Sequence, residues 1–249
     1  MQPYRVALCA FCLASLVHCG APHDPMDDWH VGPGPLAQVS GRAFVFGPSD
    51  GQTIEGATVS VAEAPEYATT VRADGTFTLE APSGAPVSLL LTKPGFHPTQ
   101  TAAHMLDVSG LDQVGFQVPT DDMFALLALI VELTADPETC QIATTVSRKD
   151  TEPYGGAALG EPGVTVAIDP PLPAEAGPIY FAYLNEAFIV PDRTLTETTV
   201  DGGVLFLNVP PGEYTLTATK VGKTFTEVTI RCVAGRLVNA APPRGLQEL

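Results

Sequence analysis

One stretch of this chain occurs twice. Thr198 to Gly222 carries Thr198-Thr199-Val200, then Gly202-Gly203, Pro210-Pro211-Gly212 and Thr219-Lys220-Val221-Gly222. Thr69 to Gly95 carries Thr69-Thr70-Val71, Asp74-Gly75, Pro82-Ser83-Gly84 and Thr92-Lys93-Pro94-Gly95 in the same order, with Asp74-Gly75 falling beside Gly202-Gly203. The copies align with single-residue slips placed in turns. Each reads as strand, glycine turn, strand, Pro-Gly turn and strand, so the chain is expected to be a tandem of two related β-domains. The matched residues carry turn and core chemistry, with no catalytic group among them. At 249 residues the chain has room for two cores, and its 24 Pro and 23 Gly suit short strands joined by tight turns.

Charge narrows the partners. Twelve Lys and Arg stand against 28 Asp and Glu, a net charge of −16. Such a surface repels phosphate backbones and anionic lipid, and nucleic-acid binding is not expected.

The N-terminus reads as an export signal. After Met1-Gln2-Pro3-Tyr4-Arg5 an apolar run extends from Val6 to Val17, broken by Ser15. It is too short to span a bilayer, which takes about 20 residues, and matches the apolar part of a signal peptide. Leu16-Val17-His18-Cys19 resembles a bacterial lipobox, with His18 where a small residue is usual. The resemblance implies residues 1–19 as signal and Cys19 as the lipidated first residue of a membrane-anchored chain. Plain secretion is the alternative, although Pro22 after Ala21 disfavours the nearest cut. Residues 20–36 are rich in proline without apolar periodicity and read as a flexible tether, reaching about 20–25 Å as a coil and about 50 Å extended. His23-Asp24 and Asp27-Asp28-Trp29-His30 hold metal-ligand types, but a tether does not preorganise them and no cofactor or metal is expected. Beyond Cys19 only Cys140 and Cys232 remain. In an oxidising compartment they are expected to form a disulfide, worth about 4–5 kcal/mol by the chain-entropy model; two buried thiols are the alternative.

The first β-domain (37–106) opens with a strand at Gln38–Phe46 and turns through Gly47-Pro48-Ser49-Asp50-Gly51. This satisfies G-x-S-x-G, but a nucleophile elbow needs a helix after it, and residues 52–61 alternate as a strand. Ala57, Val59 and Val61 share one face, continued inward by Phe77, Leu79, Val87, Leu89 and Leu91. Gly41-Arg42, Ile54-Glu55-Gly56-Ala57-Thr58-Val59, Asp74-Gly75-Thr76-Phe77 and Lys93-Pro94-Gly95-Phe96 resemble the carboxypeptidase regulatory-like domain, a transthyretin-like Greek-key β-sandwich. The resemblance implies a non-catalytic accessory module of exported proteins. His97 and His104 are seven apart, which in one extended segment puts them on opposite faces about 23 Å from each other, so a shared metal is not expected.

Residues 107–137 read as a connector. Thr120-Asp121-Asp122 can cap a helix over 121–133, ended by Asp136-Pro137; a buried strand is the rival over 128–133. Apolar on nearly every face, the helix is expected to be buried between the sandwiches and to make them one rigid body. The second domain (138–249) begins with a strand at Cys140–Ser147, and Gly163–Ile168 matches Gly56–Val61. There the family motif weakens, with Gly202-Gly203-Val204-Leu205 where Asp-Gly-x-Phe is expected. Its insert, 169–193, holds an aromatic strand in which Ile179, Phe181 and Tyr183 face one way and Tyr180, Ala182 and Leu184 the other. With Phe188, the residues Tyr180, Phe181 and Tyr183 are the candidate binding surface; an extra hairpin buried as core is the alternative.

The fold class expected is all-β, two transthyretin-like Greek-key sandwiches joined by a segment with one short buried helix. No histidine follows His104, so the second domain lacks the usual general base and metal ligand. The chain reads as a non-catalytic envelope lipoprotein that binds an envelope protein, peptide or glycan, or serves as structure. A carbohydrate- or peptide-binding role for the aromatic insert is the alternative, and an enzyme of transthyretin-like architecture is ranked behind it.

Overall fold

A computed structural model describes residues 29–47, 51–132, 134–151, 160–184 and 188–249. The signal segment with Cys19, and the Pro48-Ser49-Asp50 turn, lie outside the described residues. The fold is an all-β sandwich protein with a single α-helix among the described residues.

The first half contains β1 (Leu36–Val45), β2 (Thr58–Val61), β3 (Ala64–Thr70), β4 (Thr76–Pro82), β5 (Ala85–Val87), β6 (Leu89–Lys93), β7 (Phe96–Gln100), β8 (His104–Leu106) and β9 (Leu111–Val118). Sheet β4–β1–β9 faces strands β3–β2–β6–β7, and between them lies a core to which the expected inward set, Ala57 to Leu91, contributes throughout. The period-two pattern of these strands is what puts that set on one face. β9 corrects the reading of 107–118 as connector, for it pairs in parallel with β1 and buries Val114, Phe116 and Val118. Its alternation is hidden in the sequence by a bulge: Gln113 takes a left-handed φ of 56°, and the register slips between Val39 and Gly41.

After α1 (Asp121–Ile130), the second half contains β10 (Cys140–Ser147), β11 (Thr165–Asp169), β12 (Ile179–Leu184), β13 (Phe188–Asp192), β14 (Gly203–Val209), β15 (Gly212–Thr219), β16 (Val228–Cys232), β17 (Leu237–Ala240) and β18 (Leu246–Gln247). The pairings of the first half recur. β10 meets β14 antiparallel and β17 in parallel as β1 meets β4 and β9, while β11–β15–β16 repeats β2–β6–β7. A separate core fills this half, and the Cys140–Cys232 disulfide lies in it with a Cα–Cα distance of 5.7 Å. The turn before β4 and the turn before β14 also correspond. Asp74 accepts from Thr76 N at 2.9 Å and Asp201 from Gly203 N at 3.0 Å, with Gly75 and Gly202 at φ of 80° and 75° between them. An Asp-Gly turn is therefore present in both halves, one residue away from the expected alignment.

The halves are joined by strand pairing rather than by the helix. β7 runs parallel to β17, with Thr99 opposite Leu237 and Gln100 opposite Val238, which merges strands of both halves into a ten-stranded sheet. Polar side chains secure this seam. Gln100 donates to the Arg231 carbonyl at 2.8 Å and accepts from Arg236 at 2.7 Å, and Asn239 donates to the Gln117 carbonyl at 3.0 Å. In the turn between β2 and β3, Glu63 is buried and meets Arg231 of β16 at 2.7 Å. Trp29, placed by sequence in the flexible tether, is instead buried with its ring 5.2 Å from the Arg231 guanidinium, and Pro35 accepts from Ser83 N at 2.9 Å. An apolar ring beside a cation and a protein wall is more stable docked than in water, so this end of the segment is ordered.

The helix also corrects expectation. Thr120 caps it as foreseen, its hydroxyl accepting from Met123 N at 3.1 Å, but it ends at Ile130 and none of its residues is buried. Leu126 and Leu129 are 49% and 73% exposed. The strands already join the halves, and α1 is left at the margin of the interface with one face inward.

Candidate functional site: a cleft between the sandwiches

Strand parity builds a cavity between the halves. On β10, Ile142 and Val146 enter the second core, so Gln141, Ala143 and Thr145 point the other way. On β14, Val204 and Phe206 are core and Gly203, Leu205 and Leu207 face out; on β17, Val238 and Ala240 are core and Leu237 and Asn239 face out. Opposite them stand Arg42, Phe44 and Gln117, which alternate with the core residues of β1 and β9. Phe124, Leu127 and Ala128 of α1 form a third wall, with Val131 beyond its end. The open cleft has a volume of about 450 Å³, within the roughly 300–1,000 Å³ of small-molecule sites.

The helix is fixed over this cleft at its start. Asp121 N donates to the Gly95 carbonyl at 3.1 Å, and the His97 ring stacks on Phe124 with centroids 3.6 Å apart. Burial lowers the His97 pKa, opposed by the nearby Asp121 charge. His104 sits apart, on β8 against Val87 of β5. Among the described residues no group of three or more His, Cys, Asp or Glu is placed to hold a metal ion.

The insert supplies the fourth wall. β12 and β13 form an antiparallel hairpin, and β12 adds to the sheet beside β14. The expected division of faces holds for Tyr180 and Phe181, with different consequences for each. Tyr180 belongs to the second core, where its hydroxyl accepts from Val166 N at 3.1 Å, and is therefore withdrawn from the binding surface. Burial raises its pKa. Phe181 points into the cleft with Ile189 and Pro191, and Tyr183, 37% exposed, lies beyond the lining but near enough for the Asp201 charge to act on its phenol. Phe188 pairs by backbone with Leu184; its side chain lies outside what is described.

The sequence reading missed Asp201, the carboxylate on the cleft wall. Burial raises its pKa, against the lowering effect of the Gly203 N–H. In the structure Gly203 takes the place in the Asp-Gly turn that Thr76 has in the first half. A Cβ added at Gly203 would lie 2.5 Å from Asp201 Oδ2 and 2.8 Å from the Phe181 ring. Glycine at this position is what lets carboxylate and ring share one corner.

No protein-family model and no curated protein matches the chain. Solved structures of low similarity do. The Bacillus anthracis TIE protein aligns with 86% of this chain at 12% identity and a TM-score of 0.26, and the chain spans about a third of that protein, 34%. GBS52, the minor pilin of Streptococcus agalactiae, aligns with 85% of this chain and 95% of its own at 12% identity and a TM-score of 0.28. A type II cohesin–X-dockerin complex from Acetivibrio cellulolyticus aligns with 49% of this chain and 86% of its own, at 12% identity and a TM-score of 0.30. At these values the likenesses carry no functional argument. No helix among the described residues is long and apolar enough to cross a membrane.

Proposed function

We propose that this chain is a non-catalytic binding module of the bacterial cell envelope, exported and lipid-anchored through Cys19, whose cleft holds a largely apolar ligand or partner group. The observation that carries the reading is the cavity of about 450 Å³, walled by Leu205, Leu207, Phe124, Leu127 and Phe181 with a few polar groups among them. A packed sandwich pair with a merely structural role closes such a void, because apolar surfaces left apart forfeit their contacts. The signal segment and the paired cysteines support export.

A neutral fluorescent probe, N-phenyl-1-naphthylamine, tests the cleft. Saturable binding with one site per chain is expected, lost in Ala143→Trp, whose added ring fills the cavity from β10. Probe binding that survives in a folded Ala143→Trp protein would move the site elsewhere. Lipidation is tested by detergent-phase partitioning, expected to be lost in Cys19→Ser.

A further inference from the structure

We infer that the cleft selects a ligand with an alkylammonium head, received by Asp201 beside the rings of Phe181 and Tyr183, and an apolar body lying along Leu205 and α1. This rests on the cleft being a binding site and adds the chemistry of what enters it. The turn that carries Asp201 occurs twice, and the difference between its copies is informative. Asp74 uses one oxygen to accept from both the Thr76 amide, at 2.9 Å, and the Thr76 hydroxyl, at 2.6 Å. That carboxylate lies fully in solvent, with its pKa lowered by these bonds. A turn of this kind needs neither burial nor an aromatic neighbour.

At Asp201 the hydroxyl is gone, because Gly203 replaces Thr76, and Oδ2 accepts from the Gly203 amide at 3.0 Å. The β12–β13 hairpin, which has no counterpart in the first half, brings Phe181 against the same glycine. Thr199 ties the hairpin to the turn, its hydroxyl donating to the Phe181 carbonyl at 2.8 Å. Tyr183, two residues along the same face, feels the Asp201 charge, which adds to the rise that burial imposes on its phenol. None of the ion pairs among the described residues includes Asp201. Arg42 also lines the cleft, but its guanidinium is directed to the Asp74 carbonyl at 3.5 Å. A partly buried carboxylate with an aromatic ring beside it is an environment that stabilises an ammonium ion, by charge-assisted hydrogen bonding and by attraction to the ring quadrupole. The head group can belong to a free amine or to a lysine side chain of a partner peptide.

Displacement of N-phenyl-1-naphthylamine from the full mature chain tests this with n-hexylamine, n-hexanol and n-hexanoate, which share one apolar body. Hexylammonium is expected to displace the probe at a concentration lower than hexanol by on the order of tenfold, and hexanoate to be the weakest. In Asp201→Asn, which keeps an acceptor for the Gly203 amide, hexylammonium and hexanol should agree within about twofold while hexanol is unchanged from wild type. An Nα-acetyl-lysine amide tripeptide that outcompetes hexylamine assigns the head group to a peptide; the reverse assigns it to a free amine. Equal displacement by hexylammonium and hexanol in wild type, or an ammonium preference retained in Asp201→Asn, overturns the inference and leaves the apolar cleft standing. Failure of hexylammonium to displace a probe whose binding is lost in Ala143→Trp overturns the inference alone, whereas probe binding that survives in folded Ala143→Trp overturns the cleft reading beneath it.

Discussion

Replacing Arg231 with methionine isolates the electrostatic lock between the halves. Arg231 Nη1 lies 2.7 Å from Glu63 Oε1 and donates to the Pro86 carbonyl at 3.2 Å, while Nε reaches Glu213 at 3.4 Å. The side chain of Glu63 is 1% exposed, and besides Arg231 its oxygens accept, among the described residues, only from Ser88 N, at 2.9 and 3.1 Å. Methionine fills similar volume without charge, so the main loss is the partner of a buried carboxylate, which costs about 3–5 kcal/mol. The cation–π contact with Trp29 adds about 0.5–2 kcal/mol. Together these come to about 3.5–7 kcal/mol, about a quarter or more of a domain stability of about 5–15 kcal/mol, and the melting temperature of a chain of this size should fall by roughly 7–28 °C. Urea unfolding followed by circular dichroism, and by the fluorescence of Trp29, the one tryptophan, measures the change globally and at the lock. The diagnostic comparison is Glu63→Gln/Arg231→Met, which removes the orphaned charge and keeps an acceptor for Ser88. It should regain about 2 kcal/mol over Arg231→Met alone. A loss below about 1 kcal/mol in the single variant, or a double variant no more stable than the single, would refute the reasoning.

Two other perturbations follow from the cores. Cys140 and Cys232 are 92 residues apart, so Cys140→Ser/Cys232→Ser should lose about 4–5 kcal/mol in denaturant unfolding, and a loss under about 1 kcal/mol would show that the loop gains nothing from closure. His104 has its pKa lowered from 6.5 to about 4 by burial and then by Arg244; a depressed histidine favours the neutral form in the folded state, so its contribution is complete above pH 6.5 and lost as pH falls toward about 4, and NMR titration of its ring near pH 6.5 would contradict this.

The strands and turns of this protein were legible because their causes are local. Alternation put Ala57, Val59, Val61 and the later apolar residues on one face, the Asp-Gly and Pro-Gly turns marked the ends, and two cysteines beyond an expected export signal implied their bond. The capped start of α1 was legible for the same reason, since Thr120 acts on a donor three residues away. What local pattern did not contain was the docking of the two halves. The β7–β17 pairing, the Glu63–Arg231 lock and the place of Trp29 each join residues far apart in sequence, and with the strands already joining the halves α1 remained at the margin instead of between them. β9 escaped because one bulge at Gln113 broke its period. Tyr180 and Phe181 are neighbours with similar rings, yet one is core and the other lines the cleft, because the sheet that receives β12 has a covered face and an open one. Asp201 shows the same division most plainly: its turn was written in the sequence, but only the hairpin folded over it, and the opposite sandwich facing it, turned a capping carboxylate into part of a cleft.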